Sequence, residues 1–157
     1  MSGSQFGSGI SARNEGGGEM SLWINNNTIQ EVGDSAGGVL AGFEGIFIAD
    51  SVTAGTTNAT ITNNVIQNIH DDRGIQVALT SGGTSCTNIS GNTFAGTIRE
   101  DAPFNGTTSL IRVRQTAGTH NVVQGSAADL AVANGLVPGN ITESGSFNYS
   151  TPACVLP

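Results

Sequence analysis

The chain has 157 residues, of which 11% are charged, and it carries 23 glycines and a formal net charge of −7. This length suffices for one domain with a core, and the abundance of Gly, Asn, Thr and β-branched residues is typical of short strands joined by tight turns. Five cations on an acidic chain argue against a nucleic-acid partner. No apolar run approaches the roughly 20 residues of a membrane span, so we expect no membrane insertion.

The first residues, MSGSQFGSG, contain neither the basic nor the apolar stretch of a signal peptide. They look like the beginning of a fragment from a longer chain. They are also too short and Gly-rich to cover the first strands as a cap. We therefore interpret residues 1–8 as a flexible N-terminal segment.

A strand motif then recurs four times, and each copy alternates apolar and other residues as a half-buried strand does. The copies are GISARN from Gly9, GIFIAD from Gly45, GIQVAL from Gly74 and LIRVRQ from Leu110. The isoleucines that head these strands are Ile10, Ile46, Ile75 and Ile111, with spacings of 36, 29 and 36 residues. The long and uneven period indicates repeats with loops of variable length.

A second motif, with Asn in fourth place, follows the strand motif at a nearly constant distance. Its copies are INNNTI (24–29), ITNNVI (61–66) and ISGNTF (89–94), with a degenerate fourth copy, NVVQGS, at 121–126. Asn tolerates the left-handed backbone angles of a sharp corner, and stacked Asn side chains can hydrogen-bond to one another. We therefore predict that Asn27, Asn64 and Asn92 form one ladder and occupy the corner positions.

These two motifs predict a fold in which equivalent strands stack directly on one another. A β-sandwich would show hairpin turns without a long period, and a propeller blade needs four strands in about 40 or more residues. Three strands in each repeat favour an all-β parallel β-helix solenoid of about four three-strand coils over residues 9–125. Two apolar columns should line its interior: Ile24, Ile61, Ile89 and Ile29, Ile66, Phe94.

The remainder of the chain differs from the coils. Ser126 is a suitable N-cap, AADLAVANG suits a short helix, and Gly135 stands where that helix would stop. A solenoid needs a cap because its last coil otherwise leaves apolar residues and strand edges exposed. We predict that residues 126–157 form a helix and an extended tail that cover the C-terminal end or pack along the side.

Several stretches carry a resemblance to a known class: CTNISGNTF (86–94), SLIRVRQ (109–115), AADLAVANG (127–135) and ACVLP (153–157). With the Asn turns, they resemble right-handed β-helix proteins of the pectate-lyase-like kind. Over most of residues 8–157, the chain is similar to the C-terminal coils of long bacterial surface and secreted β-helix proteins. The resemblance implies a right-handed helix. Such proteins are commonly adhesins or passenger domains, and a minority are polysaccharide lyases or hydrolases.

The first strand motif places two columns of residues on the outward face. They are Ser11, Phe47, Gln76, Arg112 and Arg13, Ala49, Ala78, Arg114. They contain no carboxylate, whereas glycoside hydrolysis needs two carboxyl groups about 5–10 Å apart. Trp23, Phe47, Arg112 and Arg114 are the candidates for a ligand or partner surface, since exposed aromatics stack on sugars and arginines bind anions.

The densest group of ionisable residues is HDDRG, residues 70–74. Asp71 and Asp72 are weak candidates for a cation site, with His70 as a base. We favour a solvated loop in which these acids cap main-chain amides. No cofactor is expected.

Cys86 and Cys154 are too far apart in sequence for a clustered zinc site or a Cys-x-x-Cys redox site. A disulfide between them would tie the tail to the coils in an exported protein. The alternative is two separate buried thiols.

Together these features predict a non-catalytic structural or adhesive module, located at the bacterial surface or secreted. Its expected partners are another copy, through end-to-end self-association, or neighbouring coils of a larger chain, and also a carbohydrate or host surface. The alternative is a polysaccharide-active enzyme: a lyase, a hydrolase or a tailspike-like depolymerase.

Overall fold

The computed structural model describes residues 7–33, 43–51, 54–70, 72–98 and 109–149. Its strands are β1 (Ile10–Asn14), β2 (Glu19–Asn25), β3 (Thr28–Val32), β4 (Ile46–Asp50), β5 (Thr56–Thr62), β6 (Val65–Ile69), β7 (Ile75–Leu79), β8 (Thr84–Ser90), β9 (Thr93–Ile98), β10 (Ile111–Gln115), β11 (Thr119–Val122), β12 (Ile141–Ser144) and β13 (Phe147–Tyr149). A helix, α1 (Ala127–Val132), and a 3-10 turn (Pro138–Asn140) lie between β11 and β12. None of the helices in these ranges is long and apolar enough to cross a membrane.

The strands form three parallel sheets. Sheet A has the order β1-β4-β7-β10-β12, sheet B the order β2-β5-β8-β11-β13, and sheet C the order β3-β6-β9. Each of the first three repeats thus contributes one strand to every sheet, and the chain returns to the same sheet one strand spacing further along. The all-β, parallel character of the fold is confirmed, and the stacking is compatible with a β-helix.

The predicted columns are confirmed by the strand register. In sheet A, Ile10 pairs with Ile46, Ile46 with Ile75, and Ile75 with Ile111. Both predicted apolar columns, headed by Ile24 in sheet B and by Ile29 in sheet C, also pair in the expected register. The inner coils bury these columns. In the second repeat, the side chains in the columns are each 0% exposed: Ile46, Ile61 and Ile66.

The corner conformation differs from the prediction by one residue. Left-handed φ values occur at Asn26 (57°), Asn63 (55°) and Gly91 (67°), each directly before a ladder Asn. The residue in third place therefore makes the turn and is exposed, while the Asn in fourth place directs its side chain into the stack. The turn requires a left-handed backbone at the third place, which glycine also adopts, and the ladder requires an amide at the fourth place only. This explains why the third copy reads Gly-Asn.

The C-terminal part combines a confirmed helix with two strands that were not predicted. Ser126 is the N-cap of α1, with its Oγ accepting a hydrogen bond from Asp129 N, and Gly135 follows the helix with a φ of 66°. Beyond it, β12 pairs with β10 and β13 pairs with β11. Residues 126–149 are therefore more than a helix and an extended tail. The helix follows β11 where the earlier repeats have a sheet C strand.

Candidate functional site

The predicted asparagines lie in one stack, and their amides bond from repeat to repeat. The Oδ1 of Asn64 accepts hydrogen bonds from both the main-chain N and the Nδ2 of Asn27, each at 3.0 Å. The Oδ1 of Asn92 accepts in the same way from Asn64, at 3.0 and 2.8 Å. The Nδ2 of Asn64 also donates back to the carbonyl of Ile24 at 3.0 Å. Each inner amide thus ties together three successive repeats.

A fourth rung comes from the turn that follows α1, and it was not predicted. The Oδ1 of Asn134 accepts hydrogen bonds from the main-chain N and the Nδ2 of Asn92, at 3.1 and 2.9 Å. Its own Nδ2 donates to the carbonyls of Ile89 and Leu130, at 2.9 and 2.8 Å. The second of these acceptors belongs to α1, so the helix closes the ladder at this end. The degenerate copy NVVQGS contributes no asparagine to the ladder. The one sequence signal for the fourth rung was that Asn134 stands immediately before Gly135.

The candidate ligand residues divide between two sheets. Phe47 and Arg112 lie in one outer column of sheet A, separated only by Gln76, so their Cα atoms are about 10 Å apart. Arg114 lies in the neighbouring outer column of the same sheet. Trp23 lies on sheet B and is 69% exposed. The structure therefore brings three of the four candidates together and leaves Trp23 apart.

The outer face of sheet A is the basic side of an acidic molecule. Arg13, Arg112 and Arg114 lie on its strands, and the whole chain has only five cations. The guanidinium carbon of Arg13 lies 4.9 Å from the centre of the Phe47 ring, a cation–π distance. Ala49 and Ala78, which lie between Arg13 and Arg114 in their column, are only 5% and 4% exposed. Phe47 therefore supports an arginine, and the alanines beside it are not open to a ligand.

A buried charged cluster at the entry to sheet A contains Asp72 and Arg73 of the HDDRG stretch together with Glu44, which was not predicted. Glu44 and Arg73 each stand two residues before a strand-heading isoleucine, so they occupy equivalent places in successive repeats. The side chain of Arg73 bonds to Asp72 Oδ1 at 2.5 Å and to Gln76 Oε1 at 3.4 Å. Ser8 Oγ donates to Glu44 Oε2 at 3.0 Å. The sequence signal for this cluster was that Glu44 and Arg73 stand at the same distance before the strand motif.

Electrostatics in this cluster push the Glu44 carboxyl towards its neutral form. Burial raises its pKa above the usual value, the Asp72 carboxylate adds to that rise, and the hydrogen bond from Ser8 and the Arg73 charge oppose it. A carboxyl group with a raised pKa beside a second carboxylate is the arrangement of a general acid. Glu44 is only 3% exposed, however, so a polymer substrate cannot reach it in this conformation.

Of the two weak candidates for a cation site, Asp71 and Asp72, the structure describes only the second. Asp72 pairs with Arg73, and Asp71 lies outside the described residues. Within the described ranges, no three His, Cys, Asp or Glu side chains are placed to hold a metal ion.

Cys86 lies on β8 and is 3% exposed, while Cys154 lies outside the described residues. The described ranges contain no free cysteine. The Cys86–Cys154 disulfide stays a prediction.

His120 is a buried titratable group inside the stack. It is 1% exposed, its Nε2 lies 3.2 Å from Thr87 Oγ1, and the Phe147 ring packs edge-on against it at 5.2 Å between ring centres. Burial lowers its pKa to about 4. The imidazole is therefore neutral in the folded protein at pH 7.

We expect this histidine to make the protein less stable as the pH falls from 7 to 4. The unfolded chain takes up a proton near the ordinary pKa of 6.5, whereas the folded chain does so only near 4, so protonation favours unfolding across this window. The full effect is about 3 kcal/mol. Urea unfolding at several pH values measures it, with His120→Gln as the control that cannot titrate. The raised pKa of Glu44 favours the folded state as the pH falls, both in the original protein and in the His120→Gln variant. Only the difference between the two slopes of unfolding free energy against pH is therefore diagnostic of His120. Equal slopes would contradict the expectation.

No protein-family model, curated protein or solved structure matches the chain. Its class therefore rests on its own geometry, which is three parallel sheets stacked in register around an aliphatic core and an Asn ladder.

Proposed function

We propose that the chain is a right-handed parallel β-helix module of the pectate-lyase-like class, with a non-catalytic structural or adhesive role in a bacterial surface or secreted protein. The observation that carries this proposal is the ladder of stacked asparagines, which bonds the first four repeats to one another through amides that are buried from Asn64 onward. A stack of this kind is stabilised mainly by contacts between neighbouring repeats, so it provides length and rigidity.

The polar groups inside the stack also support a structural role. The buried Asp50 accepts a hydrogen bond from Thr57 Oγ1 at 2.9 Å, and Asn14 Nδ2 donates to the Thr56 carbonyl at 3.2 Å. Arg73 is held by Asp72 and Gln76. The first two interactions join sheets or repeats, and the third holds the residues at the start of β7 together, so these polar groups contribute to the stack.

A second candidate function, cleavage of a polysaccharide, is favoured by one observation. Glu44, with its raised pKa, lies near Asp72 and Arg73 at the entry to the sheet that carries Phe47. In this alternative, Glu44 would be the general acid and Asp72 the second carboxylate. The burial of Glu44 is the reason for placing this function second.

Assays on a panel of acidic and neutral polysaccharides, with and without calcium, separate the two functions. We expect no turnover of any substrate. Turnover that is lost in Glu44→Gln and Asp72→Asn, but kept in Glu143→Gln, would overturn the structural proposal. Glu143 is the control because it is an exposed carboxylate on β12, at the opposite end of sheet A.

A further inference from the structure

Two polar atoms inside the stack, Ser85 Oγ and His120 Nδ1, have no hydrogen-bond partner among the residues that the structure describes. Both side chains are 1% exposed. They point into the core, because Ile89 and Val122, which follow them at even spacing on their strands, are core residues with 0% exposure. A buried polar atom without a partner has lost its bonds to bulk water, so each of these two requires an explanation.

The two atoms belong to neighbouring residues of one inward column. Ser85 on β8 pairs with His120 on β11, so their Cα atoms lie one strand spacing, about 4.8 Å, apart. The same column continues to Thr57 in the second repeat and to Phe147 on β13. Serine has the shortest side chain of these four residues, which leaves room beside the His120 ring between the third and fourth repeats.

The facing column of sheet A explains why Ser85 lacks a partner. In the second repeat, Thr57 Oγ1 donates a hydrogen bond to Asp50 Oδ2 at 2.9 Å across the corner between sheets A and B. In the third repeat, Ser85 takes the place of Thr57, and Leu79 takes the place of Asp50. Leucine has no acceptor to offer, so the Ser85 hydroxyl loses the partner that its equivalent has.

The fourth repeat does not supply a partner to His120 Nδ1 either. Gln115 follows Leu79 in the facing column, but its amide is turned away from the ring. Its Nε2 donates to Gly118 O at 2.6 Å, and its Oε1 accepts from Ser146 N at 2.9 Å. The contact of His120 with Thr87 Oγ1, at 3.2 Å, uses the other ring nitrogen, Nε2.

We propose that one water molecule is bound between the third and fourth repeats, where it bridges Ser85 Oγ and His120 Nδ1. A water bonded to both atoms at about 2.8 Å spans a separation of up to about 5.6 Å, which covers neighbouring residues of one column. Water both donates and accepts, so it serves a hydroxyl and either protonation state of the ring nitrogen. Buried waters typically fill polar sites of this kind, whereas only apolar cavities stay dry. The bridge takes over in the third repeat the part that Asp50 plays in the second.

A high-resolution crystal structure of the chain tests the site directly. We expect a peak of electron density within about 2.6–3.2 Å of both Ser85 Oγ and His120 Nδ1. A direct hydrogen bond between the two side chains, density that reaches only one of them, or no density between them would each overturn the proposal.

Oxygen-17 relaxation dispersion in labelled water tests the same site in solution, because it counts waters that stay inside a protein and is blind to serine oxygens, which do not exchange. Ser85→Val replaces the hydroxyl with methyl groups, so we expect the count to fall by one. Ser21→Val is the matched control: it is the same substitution in sheet B, at an exposed position on β2, and should leave the count unchanged. Circular dichroism checks that both variants keep the fold. An unchanged count in folded Ser85→Val, or an equal fall in Ser21→Val, would contradict the bridge, and the crystal structure decides the question if Ser85→Val does not fold.

Discussion

Asn64→Leu is expected to lower the free energy of unfolding by roughly 3–5 kcal/mol. The side chain is 0% exposed, and its amide makes four hydrogen bonds to residues of the repeats on either side. Leucine has a similar size but no polar atoms, so the Ile24 carbonyl and the Asn27 amide lose partners in a place that water does not reach. Each buried group left without a partner costs about 1–3 kcal/mol. Urea or thermal unfolding followed by circular dichroism measures the loss.

Asn27→Leu is the matched control, since it is the same substitution in the same ladder. Asn27 is only partly buried, and no described residue donates to its Oδ1, so fewer groups are left without partners. We expect a loss less than half that of Asn64→Leu. Equal losses, or an unchanged unfolding midpoint for Asn64→Leu, would show that the ladder contributes little to stability.

Gly45→Ala is expected to cost about 3 kcal/mol, although it adds a single methyl group. A Cβ at this position would lie 2.6 Å from the Gly74 carbonyl oxygen and 3.0 Å from Ile66 Cγ2. The carbonyl cannot move aside freely, because it accepts the hydrogen bond from Ile46 N that joins two repeats. The clash therefore separates β4 from β7 at the corner where sheet C leads into sheet A.

Gly16→Ala provides the comparison for this glycine. No atom lies within 4 Å of a Cβ built at Gly16, and its backbone is not left-handed, so we expect a change within about 0.5 kcal/mol. Thermal unfolding of both variants distinguishes the steric effect from the general effect of replacing a glycine. Similar midpoints for the two variants would show that the corner has room for a side chain.

The register of the inner coils could be predicted from the sequence because each repeat contacts its neighbour at equivalent positions. In a parallel stack, residues that recur at the same place in the motif lie one strand spacing apart, so the pairing of Ile46 with Ile75, or of Ile61 with Ile89, follows directly from the alignment. The ladder positions of Asn27, Asn64 and Asn92 follow from the same regularity. The left-handed corner was misplaced by one residue because both third and fourth places carry Asn in two of the copies.

The sequence by itself determined the repeating part of this protein: parallel strands, their register and the residues that stack inside. Only the tertiary structure decided where that repetition stops. Asn134 enters the ladder from the turn after α1, and β12 and β13 extend two of the sheets past it. The physical reason is that a repeat motif reports contacts between like positions, whereas closing an end requires contacts between unlike ones, which leave no periodic trace in the sequence.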